Sequence, residues 1–183
     1  MRNWLIEFNE PDIIDLLGSF KCERNEDIES YLKQKAILHE RHNISRTYLI
    51  LDESDNIVAY FTIAIKPMKI DDVSIKNRKE VAGYLQQSVA NISGYLLGQF
   101  GKNDMFASEI TGETLWNYAY NIILRCHINI GLRFVFLECG NYEKLICSYE
   151  NIGFKPFRHN NETGHTLMIK MISADDSRAL EIA

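Results

Sequence analysis

Apolar residues follow two spacings along this chain, and the switch between them marks its elements. Pro11 suits an early helical position and predicts a first short helix after it. Asn25 reads as an N-cap with Glu26 and Asp27 in the first turn, and Ile28, Tyr31, Leu32, Ala36 and His39 share one face. That spacing predicts an amphipathic helix over 26–41. Thr47–Leu51 and Ile57–Ile65 are rich in β-formers, and Glu53-Ser54-Asp55-Asn56 between them is a turn. The short connection predicts an antiparallel hairpin. Residues 70–92 are polar, with a weak helical pattern around Val73–Leu85. Gly94–Gly101 reads as a strand carrying three glycines, and Leu115, Tyr118, Ala119, Ile122, Cys126 and Ile130 predict a long helix over 111–130, stopped by Gly131. A buried strand over Arg133–Cys139 follows. Leu145, Ile146, Tyr149 and Ile152 then predict a helix over 142–152 with those residues inward, stopped by Gly153. Phe154–His159 and His165–Ile172 form a last hairpin around residues 160–164.

The strand–helix–strand succession through 94–139 requires a parallel pairing in the middle of the sheet, and the two hairpins make its ends antiparallel. The expected fold class is therefore α/β: a mixed sheet with helices on both faces. The 183 residues suffice for one domain, expected over 1–173, with a polar tail over 174–183. No run of about 18 apolar residues occurs, so no membrane span is expected. Glu7 and Glu10 arrive before a signal-peptide core could form, which makes cytoplasmic residence the expectation. Cys22, Cys126, Cys139 and Cys147 form no C-x-x-C pair, and three lie in periodic apolar segments, so they read as buried hydrophobes. The five histidines show no metal-ligand spacing, and no metal is expected. A formal net charge of −5 argues against a broad nucleic-acid footprint, though lysines and arginines cluster in the first half.

Three features can carry chemistry. Glycines inside a strand mark a bulge, or a place where a ligand approaches the backbone closely. Thr111, Gly112 and Glu113 open the long helix, whose free N–H groups suit a pyrophosphate as readily as an ordinary cap. Tyr149 could protonate a leaving thiolate, although its spacing with Leu145 and Ile152 also fits a core position.

In this order the three features resemble the GNAT N-acetyltransferase family, nearest to its toxin-type branch. Residues 20–36 resemble that branch's N-terminal segment, and Tyr95–Ala119 resemble the family's central strand, pyrophosphate loop and helix. Phe134–Phe154 ends in a Tyr-Glu-x-x-Gly-Phe segment, here Tyr149-Glu150-Asn151-Ile152-Gly153-Phe154. The resemblance implies a V-shaped split between strands 94–101 and 133–139 that admits acetyl-CoA. Main-chain groups of Gln99, Phe100, Gly101 and Lys102 would hold the pantetheine and acetyl carbonyl. Thr111 and Gly112 would take the pyrophosphate, and Tyr149 would be the general acid. The implied activity is acetyl transfer from acetyl-CoA to an amine by direct attack, and the acceptor is a small molecule, a protein or an aminoacyl-tRNA. A homodimer is compatible with the resemblance. The family's loop pattern Q/R-x-x-G-x-G/A meets Ala107-Ser108-Glu109-Ile110-Thr111-Gly112, which keeps only the final glycine. Weaker cofactor binding, a reshaped loop that uses Thr111 and the helix N–H groups, or a binding module without transfer activity are the alternatives this departure opens. No general base is assigned.

Overall fold

A computed structural model describes residues 1–84, 89–173 and 175–176. Four helices open the chain: α1 Trp4–Glu7, α2 Glu10–Gly18, α3 Glu26–Gln34 and α4 Ala36–Arg41. Strands β1 Arg46–Leu51 and β2 Ile57–Lys69 follow, then α5 Ile75–Ala82 and β3 Asn91–Lys102. A 3-10 turn at Asp104–Phe106 leads into α6 Gly112–Ile130, β4 Phe134–Gly140 and α7 Glu143–Asn151. The hairpin of β5 Lys155–Asn160 and β6 His165–Met171 completes it. The sheet has six strands in the order β1-β2-β3-β4-β6-β5. β1 and β2 pair antiparallel, β3 and β4 pair parallel, and β6 pairs antiparallel with both β4 and β5. The mixed sheet read from the sequence is thus the sheet the chain forms.

Several boundaries differ from the sequence reading, each for a local reason. The helix expected over 26–41 is two helices, because Lys35 leaves helical geometry at φ −118°. Asn25 does cap α3, accepting a hydrogen bond from the Asp27 amide. β2 runs on through Pro67 to Lys69, four residues beyond Ile65. The weak helical pattern after Val73 is α5, capped by the Ser74 hydroxyl on Asn77 N–H, and Leu85 lies outside the described residues. α7 has no buried residue, and Leu145 is 37% exposed, so the inward face expected for that helix is only partly covered. Cys147, on α7, is exposed for the same reason and is not a core residue, whereas Cys22 and Cys139 are buried.

The chain packs as two compact units. The first joins Met1–Ala64 to Leu97–Ala119, and the second joins Ile65–Leu96 to the residues from Tyr120 onward. The first unit's core gathers Ile13, Leu17 and Phe20 with Leu32, Ala36, Ile57 and Tyr60. Phe20 and Tyr60 meet edge to face at 5.2 Å, and the Tyr60 hydroxyl donates to Ile28 O. The second unit's core gathers Met68, Ile70, Val81, Phe134, Phe136, Leu167 and Ile169. No described helix is long and apolar enough to cross a membrane.

Candidate functional site

The glycine-bearing strand β3 carries the first part of the site. Its three glycines have three different reasons. Gly94 is buried, and a Cβ there would collide with the Phe134 ring. Gly101 is buried too, and a Cβ there would lie 2.6 Å from Ile28 Cγ2 and 3.2 Å from Cδ1, so this glycine admits α3. Gly98 is exposed. Of the three it alone is exposed to solvent.

Strand direction sorts the main-chain groups further. The Asn103 amide donates to Val58 O at 2.8 Å, and the Gln99 amide donates to Thr62 Oγ1 at 2.8 Å, so both face β2. Successive residues of a strand turn their amides to opposite sides. Gln99 and Gly101 therefore point at β2, and Gly98, Phe100 and Lys102 point away from it. The amides of Gln99 and Gly101, expected to hold a cofactor, thus face the neighbouring strand β2. The Gln99 N–H is already engaged by a hydroxyl that is itself buried, and Gly101 serves packing. The Phe100 and Lys102 amides, expected in the same role, face away from β2. Gly98, read in the sequence as a bulge or a place of close backbone approach, shares their direction.

In the second unit the parallel ladder of β3 with β4 comprises two pairs, Tyr95↔Val135 and Leu96↔Phe136. β4 by contrast pairs with β6 over seven positions, from Phe134↔Met171 to Gly140↔His165. The parallel ladder is thus much shorter than either strand that makes it.

The loop after β3 is built around two anchors. Ile110 is buried, while Ala107, Ser108 and Glu109 are exposed. The Lys102 ammonium donates to Ala107 O at 2.8 Å and to Ile110 O at 3.1 Å, which ties the loop's two ends. A lysine at the N-terminal end of a helix opposes the helix dipole, and here carbonyl oxygens offset that. Thr111 caps α6: its hydroxyl accepts from Thr114 N–H at 3.0 Å, and its carbonyl accepts from Leu115 N–H at 3.1 Å. That leaves the amides of Gly112 and Glu113 as the first-turn donors without an intrahelical acceptor. A Cβ at Gly112 would meet nothing within 4 Å, so the approach to those amides is open. The side chains of Thr111 and Lys102 are committed to the loop itself, and the donors available to an anion are main-chain ones.

Tyr149 sits on α7 in the second unit. It is half-buried, with its ring edge-on to Phe154 at 5.9 Å. Burial, and then the nearby Cys139, push its phenol up to about 12. Such a phenol holds its proton throughout the physiological range and stays available as a donor. The core reading of Tyr149 weakens, because neither it nor Leu145 is buried. Glu138 is exposed near the end of β4.

No family model matches the sequence, and no curated protein matches it. Solved structures do. A mutant of the toxin AtaT bound to the C-terminus of the antitoxin AtaR and acetyl-CoA is 18% identical, with a TM-score of 0.64 over 91% of this chain and 88% of that one. AtaT complexed with acetyl-methionyl-tRNAfMet is 19% identical, with a TM-score of 0.66 over 90% and 91%. A structure described as a bacterial toxin reaches a TM-score of 0.72 at 17% identity, covering 97% of this chain and 92% of that one. The six-stranded mixed sheet and its helices therefore give this chain the GNAT fold, in the form seen in the AtaT toxin.

Proposed function

We propose that this protein transfers an acetyl group from acetyl-CoA to a primary amine. The observation that carries the reading is the fold likeness to an acetyl-CoA-bound toxin over nine-tenths of the chain. The open Gly98 and the outward amides of β3 support it. In this reading the pantetheine and acetyl carbonyl dock on main-chain groups of Gly98, Phe100 and Lys102. The pyrophosphate meets the Gly112 and Glu113 amides and the positive end of α6. The amine nitrogen attacks the thioester carbonyl, the new C–N bond forms and the C–S bond breaks. Tyr149 gives its phenolic proton to the departing thiolate and regains one from solvent, and the proton shed by the amine leaves to water. The residues present fit acetyl-CoA at the main-chain level, and no side chain of the loop is required to contact phosphate.

The acceptor we favour is the α-amine of an aminoacyl-tRNA, because AtaT is known in complex with acetyl-methionyl-tRNAfMet. With a formal net charge of −5, tRNA would be held by local lysines and arginines rather than by the overall field. Cytoplasmic residence goes with this reading. The test is transfer from labelled acetyl-CoA to a pool of charged tRNAs, followed by identification of the N-acetylated amino acid. Tyr149→Phe should lower turnover at saturating acetyl-CoA by about a hundredfold, with little change in cofactor affinity. Unchanged turnover refutes the general-acid role.

A second reading, a binding module without transfer activity, is favoured by the departure of Ala107–Thr111 from the family's loop pattern. Calorimetric titration separates the two: neither heat nor a thermal shift at millimolar acetyl-CoA would support the module.

A further inference from the structure

Tyr149 stands on α7. None of its nine residues is buried, and its N-cap, Tyr142, makes no side-chain capping bond. With no fully buried residue on the helix, its C-terminal turn is one of the features that hold it in place. At its C-terminal end the chain turns through Ile152 and Gly153, the latter at φ +91°. Phe154 N–H returns to Tyr149 O at 3.1 Å, and Gly153 N–H returns to Glu150 O at 2.9 Å.

Among the described residues, the Lys170 side chain reaches this turn from outside the helix. Lys170 lies on β6, where its backbone pairs with Val135 of β4, so the base of the side chain is fixed in the sheet. Its ammonium donates to Ile152 O at 3.2 Å, at the negative end of the α7 dipole. The same ammonium lies 5.2 Å from the centroid of the Tyr120 ring, a cation–π arrangement that fixes its direction. Asp176, held by Ser173 N–H and Oγ at 2.8 and 2.7 Å, supplies counter-charge to it. A Cβ at residue 153 would overlap the Lys170 ammonium, so glycine there serves both the positive φ and the close approach of this cation.

We propose that Lys170 is the positioning residue for Tyr149: by clamping the Ile152–Gly153 turn to the sheet it sets where the Tyr149 hydroxyl stands. This rests on the general-acid reading of Tyr149 for its functional consequence, and not for its structural one. Lys170 does not touch the reacting atoms.

Two measurements on the full chain test it. In protein carrying ring-labelled tyrosine, Lys170→Met should shift or broaden the Tyr149 ring resonances, and Lys170→Arg should largely restore them. In turnover with acetyl-CoA and methionyl-tRNAfMet, Lys170→Met should lower kcat about tenfold, since sub-ångström displacement of a catalytic group is costly, with acetyl-CoA affinity within about twofold of the parent. The double variant with Tyr149→Phe should be no slower than Tyr149→Phe alone. An unmoved Tyr149 signal in folded Lys170→Met protein overturns the proposal, as does a loss that adds in full to that of Tyr149→Phe. Wild-type turnover in Tyr149→Phe would sink the general-acid reading instead, and the ring signal would still decide whether Lys170 holds Tyr149 in place.

Discussion

Gly98 and Gly101 lie three positions apart on one strand, and the proposed function gives them opposite duties that substitution should separate. At Gly101 an added Cβ would stand 2.6 Å from Ile28 Cγ2, about 1 Å inside ordinary carbon–carbon contact. The neighbour is a partly buried, β-branched side chain of α3, stiff at χ1, so it does not simply swing aside. Overpacking of this kind costs about 1–3 kcal/mol. In a chain of this size each kcal/mol lowers Tm by roughly 2–4 °C, so Gly101→Ala should melt about 2–12 °C early. Ile28→Ala removes the obstructing carbons and is itself destabilising by about 2–5 kcal/mol. In that background Gly101→Ala should be nearly neutral, which gives a coupling energy of about 1 kcal/mol or more. Gly98 is exposed, so Gly98→Val should stay within about 0.5 kcal/mol of the parent. The valine side chain would nonetheless bar the backbone approach, and acetyl-CoA affinity should fall at least about tenfold. Thermal melts and calorimetric titrations of the four proteins decide the matter. If Gly98→Val binds acetyl-CoA within twofold of the parent while Gly101→Ala melts unchanged, the division of duties is wrong.

Lys102→Met removes both ties across the pyrophosphate loop and should weaken acetyl-CoA binding about fivefold to tenfold by titration, without abolishing the fold. Lys102→Arg, which keeps the charge but not the reach geometry, should recover only part of that loss. Because the Tyr149 phenol stands at about 12, its proton is retained below that value; single-turnover rates should rise with pH as the acceptor amine deprotonates and then hold level through about pH 10. A descending limb near pH 8 or 9 would remove Tyr149 as the donor. Glu29 accepts from Lys33 and from Cys22 N–H, and these bonds hold its carboxyl down at about 2 against 4.5. A depressed carboxyl contributes stability above its unfolded value and loses it as pH falls, so Glu29→Gln should lower Tm at pH 7, and the deficit should close between pH 4.5 and 2. With the carboxylate partly exposed, the difference at pH 7 should be about 1 kcal/mol.

The order of the elements and the antiparallel ends of the sheet were readable from periodicity, since the β1–β2 and β5–β6 hairpins are local and their turns are marked by polar residues. The parallel pairing of β3 with β4 was readable as a topological necessity of the strand–helix–strand run. What periodicity does not carry is direction within a strand. Gln99 and Gly101 look as available as Phe100 and Lys102 until the partner of β3 is known, and the hydrogen bonds of the Asn103 amide to Val58 O and of the Gln99 amide to the Thr62 hydroxyl reveal which side is occupied. Which of the three β3 glycines stays exposed, Gly98, likewise depends on what fails to cover it. Helical spacing likewise places Leu145 and Tyr149 on one face without saying how much that face is covered. The break at Lys35 has no sequence signal of the usual kind, neither glycine nor proline, and is a matter of backbone geometry between two short helices. Lys102 and Lys170 read as solvated lysines in sequence, and their carbonyl partners come from turns that form only in the fold.

Amide hydrogen exchange on β3, followed residue by residue with and without acetyl-CoA, bears most directly on the claim that the cofactor lies along the outward side of this strand. The account predicts added protection at every second position, Gly98, Phe100 and Lys102, with Gln99 and Gly101 unchanged. Protection centred on Gln99 and Gly101, or none along the strand at saturating acetyl-CoA, would contradict it.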